Sequence, residues 1–239
     1  MNTKVLTWYD DSYSQHGFKS QRNYPNEELC RFIGTYYPEG VQRNAIKILE
    51  VGCGSGANLW MLIKEGFDTY GIDCSESAIT LCQDRIAHFG PAHISTGNMC
   101  HTNFPEDYFD AVLDVFSGNC FNHMQYIKFI SEVSRILKTG GLFFFFTPCV
   151  TSKAFIDHSP ASLLDQYTLN GIKRPDSPYY GNDYPFHFLD AAIVDSLLGN
   201  ICLYREKLYR VTRTHHNLDE PFSHLVGIYK KLTATNQSR

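Results

Sequence analysis

Ile48-Leu49-Glu50-Val51-Gly52-Cys53-Gly54-Ser55-Gly56 is the stretch on which the fold turns. Residues 45–51 (AIKILEV) have the apolar run of a buried strand. It feeds directly into a turn of three glycines, and Leu59 and Leu62 then begin a helix. Glycine suits such a turn because the backbone must take φ values closed to other residues and pass close to a ligand. In an open α/β sheet, ligands sit beyond the carboxyl ends of the strands, which is where this turn lies.

Outward from the turn the same alternation repeats. Residues 69–72 form a second strand ending at Asp73, and Ser75 caps a helix with Ala78, Ile79, Cys82 and Ile86 on one face. A short third strand falls at 93–95 and a fourth at 110–115. Ile127, Ile130, Val133 and Leu137 make a helical stripe that Gly140 and Gly141 are expected to stop. Residues 142–147 (LFFFFT) then read as a strand buried on both faces. This alternation predicts an α/β doubly wound, mostly parallel sheet.

The flanks are less regular. An N-terminal arm and helix occupy 1–40, the helix starting near Pro25, and the cofactor-binding core spans 45–147. An aperiodic stretch at 148–188 reads as an insertion. Residues 189–232 hold a last helix at 191–198, capped by Asp190, and two β-like stretches at 201–211 and 224–232. The whole is expected to be a single domain.

A formal charge of −4 supplies no basic field for a phosphate backbone, so no nucleic-acid partner is expected. The longest strongly apolar run, 142–146, is too short to span a bilayer. The opening MNTKVLTWYDDSY lacks a signal-peptide layout. None of the eight cysteines falls in a Cys-x-x-Cys pair, which fits reduced thiols in a cytoplasmic enzyme and offers no metal site.

The spacing of Gly52, Gly54 and Ala57, with Asp73 downstream, also satisfies the pattern of dinucleotide binders, so an NAD-dependent oxidoreductase stands as an alternative. Glu50 argues against it. A carboxylate ending an apolar strand is costly to bury without a partner; a cationic ligand gives it one, whereas a pyrophosphate would be repelled.

ILEVGCGSGAN resembles motif I of class I S-adenosylmethionine-dependent methyltransferases. YGIDCSESAI (70–79), FPEDYFDAVLDV (104–115) and RILKTGG (135–141) resemble their later motifs in consistent order. The resemblance implies a seven-stranded Rossmann-like sheet with an antiparallel last strand and S-adenosyl-L-methionine as cofactor. It also implies roles for individual residues. Gly52, Gly54 and Gly56 would shape the turn around the methionine part, and Glu50 would organise that loop. Asp73 would take both ribose hydroxyls, Cys74 would lie on the adenine, and Asn98 with Met99 would stand where relatives contact the adenine amino group. Asp114 would sit beside the methionine moiety. The arm is similar to lids of small-metabolite and sugar methyltransferases, with Tyr13, Arg22 and Tyr24 as closing residues.

Methyl transfer needs alignment of donor and acceptor more than it needs catalytic groups. A hydroxyl acceptor also calls for a base, for which His123 and His187 are the candidates, with His158 and the pair His215-His216 as further pocket residues. The tyrosine-rich segment 177–188 offers rings with polar tips to a sugar or a small aromatic, or else forms a satellite core under a long loop. The expected function is methyl transfer to a small polar acceptor, a hydroxyl of a sugar or sugar-like metabolite. N-methylation of a small amine or amino sugar, and a non-catalytic cofactor-binding protein, are the alternatives.

Overall fold

The computed structural model describes residues 3–215 and 218–233. Five parallel strands form most of the main sheet: β1 Lys47–Val51, β2 Asp68–Asp73, β3 His93–Thr96, β4 Phe109–Val115 and β5 Leu137–Pro148. Two more, β9 Leu203–His215 and β10 Glu220–Lys231, close one side. The order is β3-β2-β1-β4-β5-β10-β9, with β10 antiparallel to both neighbours. The chain order reverses between β1 and β4, so their carboxyl ends open the crevice in which an α/β sheet binds its ligand.

Alternation along the strands divides the core. Leu49, Val112, Phe143 and Phe145 face α5, His123–Ile136. Ile48, Ala111, Leu113 and Phe144 face α2, Glu27–Tyr36, and α4, Glu76–Ile86. Local chemistry fixes the helix starts. The Asn26 side chain accepts from the amides of Glu28 and Leu29, Ser75 caps α4, and Asn122 with Gln125 makes a reciprocal capping box on α5.

Several expectations change. The arm is a helix, α1, Thr3–His16, whose Val5, Tyr9 and Tyr13 recur at four-residue spacing and all line the cleft. Gly140 and Gly141 do not stop a helix: α5 ends at Ile136 and β5 starts at once, because Leu137 already pairs with Phe109. The last helix, α7, is Val194–Gly199; Asp190 instead accepts from the Ala192 amide in the turn before it. The insertion has order of its own, with a short helix, α6 Lys153–Ile156, and a small sheet of β6 Leu163–Asp165, β7 Thr168–Leu169 and β8 Phe186–His187. Arg174 clamps it to the start of β10 through a two-pronged pair with buried Glu220. His215 ends β9 as an exposed strand residue, and His216 lies outside the described residues.

Candidate active site

The glycine turn has the conformation its composition requires. Gly52, Gly54 and Gly56 all have positive φ, at 66°, 52° and 78°. A β-carbon on Gly52 would stand 2.3 Å from the Ser117 Cβ, and one on Gly54 would stand 2.4 Å from the Tyr13 hydroxyl. The turn therefore lets β1 pass close under the loop after β4 and under the first helix. Above it is an open-mouthed cleft. Its floor is the turn with Asp73, Cys74 and Met99; its roof is α1; its far wall is Phe116, Ser117, Cys120 and Phe121.

Asp73, at the carboxyl end of β2, accepts from the Gly54 amide at 2.8 Å and the Ser75 amide at 3.0 Å. Burial raises its carboxyl pKa, and those amides pull it back down. It lines the cleft with Cys74 also bonding it, and a carboxylate there suits a pair of vicinal hydroxyls. Cys74 beside it has its thiol pushed up to about 12 by burial, so it is an uncharged, polarizable contact.

Glu50 is 1% exposed. One oxygen, Oε1, accepts from the Asn58 side chain and lies 4.0 Å from an Arg22 nitrogen. The other, Oε2, is buried with no partner. Burial lifts the carboxyl to about 7 against the pull of Arg22 and Asn58. Glu50 does not itself border the cleft; from behind the glycine turn its negative charge favours a cationic ligand and opposes a pyrophosphate.

The roof is tied down at two places. Asp10 on α1 accepts from the Ser75 hydroxyl at 2.7 Å and the Ser77 amide at 3.1 Å, placing its charge at the amino end of α4. The Tyr9 hydroxyl accepts from the Cys120 thiol at 3.5 Å and bonds the Tyr184 hydroxyl at 2.9 Å. Of the lid residues expected from sequence, Tyr13 and Arg22 line the cleft, whereas Tyr24 is 77% exposed and does not.

Four other expected site residues stand elsewhere. Asp114 is wholly buried: its Oδ1 accepts from the Ser117 amide and hydroxyl and the Gly118 amide, so it holds the turn after β4 and does not border the cleft. Asn98 is exposed and its amide oxygen accepts from the Cys100 amide, leaving Gly97 and Met99 to form the wall there. His123 and His187 pair with each other at 3.2 Å, away from the cleft. The capping box turns the His123 amide onto Asp165 and its ring toward β8. His187 is buried against Tyr126, its imidazole driven down to about 3 by burial and by His123. His158 is bonded to the Phe155 carbonyl.

The segment 177–188 packs largely inward, Tyr184, Phe186 and Phe188 joining Val5 and Phe222 in a satellite core. Residues that the sequence did not single out do border the cleft: Tyr9, Phe116, Ser117 and Cys120. The four-residue spacing of Val5, Tyr9 and Tyr13 is the sequence signal that could have found Tyr9.

Comparison with known proteins agrees with this geometry. Residues 48–141 match the family described as "Methyltransferase domain". A demethylmenaquinone methyltransferase of Tropheryma whipplei is 31% identical over 115 residues, 47% of this chain and 43% of the relative. A tRNA N(3)-methylcytidine methyltransferase of Schizosaccharomyces pombe is 30% identical over 107 residues, 41% of this chain and 35% of the relative. The chain thus spans less than half the length of either relative. The crystal structure of 1,6-didemethyltoxoflavin-N1-methyltransferase from Burkholderia thailandensis, holding its acceptor and S-adenosylhomocysteine, shares the fold. It does so at a TM-score of 0.70 and 12% identity, over 97% of this chain and 88% of that one. Residues 48–141 are thus similar to a methyltransferase domain, and the chain shares its fold with S-adenosylmethionine-dependent methyltransferase structures.

Proposed function

We propose that the protein methylates a small molecule whose acceptor atom is an oxygen or nitrogen on a planar ring. The observation that carries this reading is the cleft in which the positive-φ glycine turn meets Asp73 at the end of the neighbouring strand, with the buried Glu50 carboxylate behind the turn. Together they provide for the cationic and the hydroxyl-bearing parts of a sulfonium nucleoside. Gly52 and Gly54 let it approach the backbone, Cys74 and Met99 lie against its base, and Tyr13 and Arg22 cover it. When bound, the cofactor supplies an activated methyl group on positive sulfur. The residues around it align the acceptor and exclude water.

For the acceptor, the wall of Tyr9, Phe116 and Phe121 favours a flat ring over a sugar, whose hydroxyls call for carboxylates and amides. The sugar-hydroxyl expectation rested on histidine bases and on the polar-tipped rings of 177–188, but His123 and His187 pair with each other and Tyr184, Phe186 and Phe188 pack into a core. A small molecule is preferred to RNA because the charge of −4 and the roof of α1 both disfavour a polynucleotide. Calorimetric titration with S-adenosylmethionine, S-adenosylhomocysteine and NAD tests the reading. Binding of both sulfur nucleosides and not NAD is expected; binding of NAD alone would sink it.

A further inference from the structure

His224, on β10 beside the carboxyl end of β5, is 4% exposed, and neither of its ring nitrogens has a partner. Buried polar groups are nearly always hydrogen-bonded, so an imidazole with both nitrogens empty needs a reason. Its surroundings supply one. The ring stacks on Phe146 at 4.3 Å and is roofed by Phe116 at 5.6 Å and Phe222 at 4.9 Å. Phe116 is the cleft residue that directly follows β4, so one aromatic ring separates the histidine from the cleft. On its outer side Phe116 stacks against Tyr179 at 4.8 Å, and Tyr179 is 41% exposed. Both rings hang on backbone with positive φ, 67° at Phe116 and 68° at Tyr179, a region that bulky residues rarely occupy. Such strain gathers at switching and ligand-clamping positions.

We propose that Phe116 and Tyr179 form a gate over His224, and that the opened gate seats the planar acceptor with its O–H or N–H donating to a nitrogen of this imidazole. The inference rests on the methyltransferase reading of the cleft. A neutral imidazole carries one donor and one lone pair, and both are free here. Roofed, the ring stays neutral, because burial holds it down to about 3. Opened to the cleft, it regains water, which lifts the burial penalty and weakens the opposing pull of Arg213 and His215. In the transfer, the acceptor's lone pair forms the bond to the methyl carbon as the carbon–sulfur bond breaks, its electron pair going to sulfur. The acceptor's proton passes to the His224 lone pair. The displaced Phe116 ring leaves a flat slot lined by Phe146 and Phe222, which matches the acceptor class already inferred from the wall.

The test is carbethoxylation of histidines by diethyl pyrocarbonate at neutral pH, read by peptide mass spectrometry on protein saturated with S-adenosylhomocysteine. Exposed His88 is the internal reference. His224 should react slowly in the parent. The rate at His224 should rise about ten-fold in Phe116→Ala as local opening becomes easier, with His88 unchanged. Tyr179→Ala removes only the half-exposed outer ring, so it should give a smaller rise even if Phe116→Ala fails to fold. Phenol, used as a planar O–H probe, should protect His224 and leave His88 reactive. A His224 rate that no gate variant changes, or that phenol does not slow, overturns the proposal. Failure to bind S-adenosylhomocysteine at all would instead strike the methyltransferase reading, so the two failures are told apart.

Discussion

Replacing Glu50 by Gln separates the carboxylate's cost to folding from its value to binding. The folded protein holds this carboxyl at about 7, whereas its ordinary value is 4.5. A raised folded-state value means the native state keeps a proton that the unfolded chain has lost, so stability falls as pH rises from about 4.5 to about 7 and is flat above. At ~1.4 kcal/mol for each tenfold change in proton affinity, the folded state carries roughly 3 kcal/mol of this penalty at pH 8. Glutamine removes the charge but leaves a buried N–H2 where Oε2 now stands, which costs about 1–2 kcal/mol. The net expectation at pH 8 is a gain of about 1–2 kcal/mol, or some 2–8 °C in melting temperature for a chain of this size. At pH 4.5 the gain should vanish or reverse. Affinity for S-adenosylmethionine should fall by about ten- to a hundred-fold, the effect of losing a negative charge behind the turn. Thermal melts of both proteins across pH 4.5–8, with calorimetry at pH 8, measure all of this. Parallel pH profiles for parent and variant would refute the buried-acid argument, and undiminished affinity would refute its influence on the ligand.

Asp73→Ala should lower affinity for S-adenosylhomocysteine at least about a hundred-fold, since it removes two charge-assisted acceptors; calorimetry reads this, and unchanged binding would rule out a ribose site there. Gly52→Ala drives a β-carbon into Ser117 at positive φ, and should cost at least about 2 kcal/mol in denaturant titrations as well as abolishing nucleoside binding. Arg174→Ala leaves Glu220 buried with only Lys153, 3.5 Å away, and should cost about 2–3 kcal/mol. Its effect should appear first as faster amide exchange in 163–187.

The parts of this architecture that local chemistry dictates were legible in the sequence. The run 45–51, the glycines after it and Asp73 at the end of the next strand need only neighbouring residues to be understood, and the structure has β1, the turn and β2 there. The helix Thr3–His16 was hidden because its buried stripe has one residue in four, with Trp8, Asp10 and Asp11 between, and its order comes from the cleft that it covers. Asp114 and Asn98 show a different limit. Sequence position says where an element ends, but whether the side chain faces the ligand or folds back on its own turn depends on amides three or four residues on for Asp114 and two on for Asn98. His123 was drawn away by a partner 64 residues distant, which no local pattern encodes. His224 lies in an apolar strand, and only its missing hydrogen bonds set it apart.

The Asp10 contact with Ser75 and Ser77 has a mechanical consequence. The first helix both walls the binding chamber and is tied to the helix next to Asp73. A change at Asp10 would free that helix to move against the cleft while leaving the residues of the cleft floor in place.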